Sequence, residues 1–179
     1  MIICAGNNET FDFATPMGIG LVDMAMNMTR LCLFDKPEFI LFVGTAGSYG
    51  SKNILDIVES KTASNIELSF LQGKSYTPID NVVSAQSEDK KDLIVNSLNY
   101  ISTDEVLARG FEKFGIGIEN MEFFSVVRIA QEFDIPVGGV FCVTNYCNSN
   151  AHEDFLKNHE AAKEKLSLHV KKRIKELTS

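Results

Sequence analysis

The spacing of apolar residues changes repeatedly along the chain, and each change marks an element. Met1 to Ala5 is a short apolar run that predicts a first strand, broken by the turn formers Gly6-Asn7-Asn8. After Gly18-Ile19-Gly20, the positions Leu21, Val22, Ala25, Met28, Leu31 and Cys32 recur at helical spacing and predict an amphipathic helix from Leu21 to Leu33. Phe39 to Val43 is continuously apolar, as in a strand covered on both faces, and Gly44 to Gly50 is predicted to be its exit loop. Ile54 to Ser84 is rich in β-branched residues and predicts two or three strands. Ser87 to Lys91 reads as a polar connection and Leu93 to Asn96 as another strand. Ser102-Thr103-Asp104-Glu105 has the form of a capping box with Ser102 as N-cap, opening a helix that runs to about Phe114 and stops at Gly115. A brief strand from Ile116 to Ile118, a helix from Met121 to Phe133 and a buried strand from Val137 to Val143 follow. The last helix, from about His152 to Leu177, carries an apolar stripe at Phe155, Ala162, Leu166, Val170, Ile174 and Leu177. This alternation of strands and helices predicts an α/β fold.

Composition narrows the possibilities. A chain of 179 residues, 45% of them hydrophobic, can bury one sizeable core, so a single domain over 1–179 is expected. The formal net charge of -7 argues against a nucleic-acid partner, whose phosphates demand a basic face. Lys171-Lys172-Arg173 is interleaved with Glu164 and Glu176 at helical spacing and reads as a solvated helix face. The N-terminal apolar run has no basic flank and is too short for a signal peptide or a membrane span, which leads us to expect a cytoplasmic protein away from the membrane. Cys4, Cys32 and Cys142 lie inside apolar runs, and the spacing of Cys142 and Cys147 is not C-x-x-C. His152, His159 and His169 form no H-E-x-x-H pattern, so no metal site is expected.

Three places could carry chemistry. Gly18-Ile19-Gly20 before a helix suggests a dinucleotide turn, but the third glycine position is Asp23, whose charge would repel a pyrophosphate; a tight packing turn is the simpler reading. Gly44-Thr45-Ala46-Gly47-Ser48 follows a buried strand, where open α/β sheets present ligand sites, and Thr45 and Ser48 offer hydroxyls to a phosphate, a sugar or a water. Glu122, at the start of a helix, either complements the helix dipole or accepts hydrogen bonds from adjacent ribose hydroxyls while Met121 packs on the sugar. Thr144 and Asn145 end a run too apolar for a surface, so their polar groups must find partners.

Taken together, Met17-Gly18-Ile19-Gly20, Lys36-Pro37-Glu38-Phe39-Ile40, Gly44-Thr45-Ala46-Gly47, Asn120-Met121-Glu122 and Val143-Thr144-Asn145, with His152 beyond, resemble the nucleoside phosphorylase and nucleosidase family. That family includes purine nucleoside phosphorylases, uridine phosphorylases and methylthioadenosine/adenosylhomocysteine nucleosidases. The resemblance implies a three-layer α/β/α sandwich with a mixed, largely parallel sheet, assembled as a homo-oligomer. It implies cleavage of the N-glycosidic bond of a purine nucleoside by phosphate or water, with no cofactor beyond inorganic phosphate as a possible co-substrate. Met121 and Glu122 would then hold the ribose, with Asn120, Thr144 and Gly47 beside them. Thr45 would place phosphate or water, Asn145 would hydrogen-bond the base, and Tyr100 would stack on it, the other reading of Tyr100 being a buried core aromatic.

The chain departs from the family at three points. Asn145 stands where nucleosidases carry an aspartate that protonates the leaving base; an amide donates a hydrogen bond but transfers no proton, though one branch of purine phosphorylases also uses an asparagine there. Phe42 stands where phosphorylases similar to the hexameric bacterial enzymes carry a phosphate-binding arginine. The N-terminal part is shorter than in the family, leaving Glu9 as the candidate water-activating carboxylate. A homologue that binds nucleosides without cleaving them is the alternative, and a thiol hydrolase using Cys142 or Cys147 with His152 is a further one.

Overall fold

A computed structural model describes residues 1–85 and 92–178; the connection expected over 87–91 lies outside them. In chain order the elements are β1 (Ile2–Cys4), β2 (Thr15–Pro16), α1 (Gly20–Phe34), β3 (Ile40–Ser48), β4 (Ile57–Ser60), β5 (Thr62–Ser64) and α2 (Leu68–Leu71). They continue with β6 (Val82–Ser84), β7 (Ile94–Asn96), α3 (Glu105–Glu112), β8 (Ile116–Glu119), α4 (Phe123–Glu132), β9 (Val137–Tyr146) and α5 (Ala151–Thr178). The strands form one mixed sheet along the path β2-β1-β3-β8-β7-β5-β6, with β9 on the other edge of β3 and β4 beyond it. Most pairings are parallel; β3–β8, β4–β9 and β5–β6 are antiparallel.

Period-two alternation sends successive side chains of β3 and β9 into different cores. On one face Phe42, Ala46, Phe141 and Val143 pack with Met24, Met28 and Leu31 of α1 and with Phe123, Val126 and Ala130 of α4. On the other, Val43, Val140 and Cys142 pack under Ala162, Leu166 and Val170 of α5. Helices therefore cover both faces, giving the three-layer sandwich. Phe42 sits at the centre of the first core, with ring centroids 6.0 Å from Phe123 and 5.8 Å from Phe141. Truncating such a ring to alanine typically costs about 3–5 kcal/mol, which accounts for an aromatic at this position.

Several boundaries differ from the sequence reading, each for a physical reason. The stretch Gly44 to Ser48 is not an exit loop: β3 continues to Ser48 because the whole length of β9, itself running on to Tyr146, pairs with it. Tertiary pairing here overrides the turn propensity of glycine. Ser102 is not the N-cap of α3. Asp104 takes that role, accepting from the amides of Val106 and Leu107, and the Ser102 hydroxyl is turned into the protein toward Glu119. The segment from Ile54 to Ser84 contains three strands and the helical turn α2.

Candidate active site

The site lies where the sheet splits. One edge of β3 is occupied along its length by β9; the other pairs with β1 through Leu41 and Phe42 and with β8 through Gly47 and Ser48, leaving no strand beside Thr45. Side chains fill the gap. The Thr45 amide donates to both carboxylate oxygens of Glu9 at 3.3 Å, the Thr45 hydroxyl donates to Glu9 Oε1, and Asn120 Nδ2 donates to the Thr45 carbonyl at 3.1 Å. A cavity of about 710 Å³ opens at this split, walled by the ends of β1, β3, β8 and β9 and the first turn of α5. Its volume falls within the range usual for small-molecule sites.

Asn120 also shapes the next turn. Its Oδ1 accepts from the amides of Glu122 at 3.0 Å and Phe123 at 3.1 Å, capping α4 and swinging Glu122 back into the cavity. Glu122 thus occupies the N-cap position rather than the first turn of the helix. It is 3% exposed, and its Oε1 accepts the Gly20 amide at 2.8 Å. Burial pushes its carboxyl up to about 7, and the charge of Glu9 across the cavity adds to the rise, while the Gly20 amide and Asn120 oppose it. Glu9 is also held above the ordinary carboxylate range by withdrawal from water, opposed chiefly by its bonds from Thr45. Two carboxylates of raised basicity therefore face one hollow.

Asn145 lines the same cavity as Glu122. Its amide is oriented by its neighbour: the Thr144 hydroxyl donates to Oδ1 at 2.9 Å, and Nδ2 donates to the Tyr146 carbonyl at 3.2 Å. Gly47 faces it, and a Cβ there would stand 3.0 Å from both Asn145 Nδ2 and Cys147 Sγ. Met121 lines the wall, half-buried, and Tyr100 stands at the mouth with 85% of its surface exposed, so it is not a core aromatic. All nine sequence candidates thus meet around one cavity: Glu9, Thr45, Gly47, Tyr100, Asn120, Met121, Glu122, Thr144 and Asn145.

Sequence reasoning missed Glu119, a buried carboxylate at the cavity wall that accepts from the Ser102 amide at 2.9 Å, the Ser102 hydroxyl at 2.6 Å and the Tyr49 hydroxyl at 2.9 Å. A glutamate ending the apolar run Ile116-Gly117-Ile118 was the available signal. It also missed Phe155, which reaches the cavity from α5. The dinucleotide turn is excluded by use: the Gly20 amide serves Glu122 and the Leu21 amide serves Asn99 Oδ1 at 3.0 Å, so neither is open to a pyrophosphate. The thiol hydrolase finds no support either: among the described residues no hydrogen bond joins His152 to Cys142 or Cys147. Cys142 and Cys147 are buried, burial pushes the Cys142 thiol up to about 11 and the Cys147 thiol higher still, and His152 is exposed. Among the described residues no cluster suits a metal ion, and no helix is long and apolar enough to cross a membrane.

The fold has counterparts among solved structures. No curated protein matches the sequence. A Helicobacter pylori 5′-methylthioadenosine/S-adenosyl homocysteine nucleosidase superposes with a TM-score of 0.76 at 17% identity, covering 91% of this chain and 79% of its own. Native futalosine hydrolase of Helicobacter pylori gives 0.76 at 18% identity, covering 91% and 78%. The Streptococcus pneumoniae 5′-methylthioadenosine/S-adenosylhomocysteine nucleosidase, solved with a transition-state inhibitor, gives 0.73 at 13% identity, covering 93% and 94%. The model of the phosphorylase superfamily matches residues 93–175, a span that holds Tyr100, Asn120, Met121, Glu122, Thr144 and Asn145. The chain thus shares the fold of these solved structures, and its residues 93–175 match the model of the phosphorylase superfamily.

Proposed function

We propose that this protein cleaves the N-glycosidic bond of a purine nucleoside with water as the nucleophile. The convergence of Glu9 with Thr45, Glu122 and Asn145 on one cavity carries this reading. Glu122 holds the ribose hydroxyls and, when ionised, stabilises the oxocarbenium-like sugar. Glu9 accepts a proton from a water placed by the Thr45 hydroxyl, and that water's oxygen bonds to C1′ as the bond to the base nitrogen breaks. The base leaves with the bonding pair, hydrogen-bonded by Asn145, and takes its proton from solvent.

Two observations refine the substrate. Among the described residues that line the cavity there is no lysine or arginine, while Glu9 and Glu122 are both present, so a phosphate anion would meet repulsion. Water is favoured over phosphate for that reason. The Thr144 hydroxyl already occupies Asn145 Oδ1, leaving an Nδ2 proton as the arm for the base. A donor suits a 6-oxopurine, whose N7 and O6 both accept and whose departing negative charge spreads onto O6. Ile19 and Ile101 are exposed apolar residues lining the mouth, which supports a homo-oligomer in which a second copy covers them.

Incubation with inosine, adenosine and methylthioadenosine, with and without phosphate, and chromatography of the free base tests the reading. Release from inosine without phosphate supports it, and release only with phosphate refutes water as the nucleophile. Asn145 favours a second reading, a nucleoside-binding protein that has lost turnover. Tight binding without release of base in either condition would establish that one.

A further inference from the structure

The segment 98–102 runs across the mouth of the cavity, and Leu98, Tyr100 and Ile101 all line it. Tyr100 and Ile101 are 85% and 54% exposed, yet the backbone on either side of them is tied down. On the N-terminal side Ser97 donates its amide to the Ser64 carbonyl and accepts the Phe124 amide on its hydroxyl, and Asn99 Oδ1 accepts the Leu21 amide. On the C-terminal side Ser102 gives both its amide and its hydroxyl to the buried carboxylate of Glu119, which Tyr49 braces from the sheet. A charged acceptor taking three such donors, away from water, is a strong anchor. Gly20 allows the approach: its φ is +80°, and a Cβ there would come 2.9 Å from Asn99 Oδ1.

The Asn99 tether meets the first turn of α1 one residue beyond the amide that serves Glu122. Consecutive amides, Gly20 and Leu21, thus join the sugar carboxylate to the mouth segment. We propose that residues 98–102 form a strap over the cavity, that Glu119 and Asn99 are its positioning residues, and that occupation of the Glu122 subsite tightens the strap through those two amides. The kinetic part of this proposal rests on the nucleoside reading above; the clamp itself does not.

The chain contains no tryptophan, so Tyr100→Trp places a single fluorophore on the strap at an exposed position. In that background Ser102→Ala removes one donor to Glu119, and Ser102→Thr keeps it. The expected result for Ser102→Ala is lower fluorescence anisotropy without ligand and, with the ordered strap less populated, a roughly tenfold higher KM at unchanged kcat. Ser102→Thr restores both. Inosine raises the anisotropy of the parent, and Asn99→Ala abolishes that rise while circular dichroism reports an intact fold. Unchanged anisotropy and KM in Ser102→Ala, or a loss confined to kcat, overturns the proposal. A fall in anisotropy in a protein that binds no nucleoside in any form keeps the clamp and rejects the nucleoside reading instead.

Discussion

Replacing Glu122 with glutamine is expected to stabilise the protein at alkaline pH while weakening its hold on ligand. The carboxyl is raised from its ordinary 4.5 to about 7, first by burial and then by the charge of Glu9. A rise of about 2.5 in pKa, at about 1.4 kcal/mol per pH unit, makes ionisation inside the fold cost about 3 kcal/mol. The sign follows from which state holds the proton. Below 4.5 both folded and unfolded chains are protonated and no cost arises; from 4.5 upward the unfolded chain releases its proton while the fold retains it to about 7, so stability declines across that window and stays lower above it. Glutamine keeps the shape and the acceptor for the Gly20 amide, and it never ionises. Urea unfolding followed by circular dichroism should therefore find Glu122→Gln more stable than the parent by about 3 kcal/mol near pH 8.5 and by about 1 kcal/mol near pH 5. Nucleoside affinity should fall at least roughly tenfold, since hydrogen bonds to a charged acceptor contribute about 1.5–3 kcal/mol. An equal stability difference at both pH values, or a variant less stable than the parent at pH 8.5, would refute the reasoning.

Other perturbations test the remaining roles. Glu9→Gln should abolish release of base while retaining nucleoside binding in calorimetry; because the Glu9 charge helps raise Glu122, the pH midpoint for binding should also move to lower values, and an unmoved midpoint would count against their coupling. Asn145→Asp supplies the missing proton donor and should raise turnover of 6-amino nucleosides by about 10²-fold or more, measured as adenine released, with no gain meaning that base protonation does not limit the reaction. Gly47→Ala places a methyl against the Asn145 amide and the Cys147 thiol, so it should lower kcat and cost about 1–3 kcal/mol of stability in thermal melts; a variant indistinguishable from the parent would show that the amide is not held as described.

The core of the fold was readable because buried strands and amphipathic helices leave periodic signatures. Phe39 to Val43 and Val137 to Val143 located the two central strands, and the Leu21 to Leu33 repeat located α1. Local turn chemistry misled at Gly44 to Ser48, where glycines inside a strand serve close approach: Gly47 leaves room for Asn145. The capping box at Ser102 failed because a buried carboxylate from a distant strand competes for the same hydroxyl, and no local pattern encodes that contact. Glu9, Thr45, Glu122 and Asn145 were named through the family resemblance, but their meeting at one cavity depends on the split in the sheet beside Thr45, a property of pairing rather than of sequence.

The three carboxylates of the cavity differ in their supply of hydrogen bonds. Glu119 accepts three donors from Ser102 and Tyr49. Those donors take up its lone pairs and leave few of them for a ligand. Glu9 has the Thr45 amide and hydroxyl, both from the residue where a water would be placed. Glu122, the most buried of the three, has one backbone donor, the Gly20 amide. An ionised carboxylate so sparsely served is costly to keep, and the deficit is of the kind that two vicinal hydroxyls of a pentose would make good. Ligand binding should therefore favour ionised Glu122 and pull its pKa back toward the ordinary carboxylate range. A nucleoside titration at about pH 6.5, below the value of about 7 in the free protein, should accordingly release protons to solvent. Proton uptake in that experiment would mean that the carboxyl binds ligand in its neutral form, and the electrostatic role assigned to it would fall.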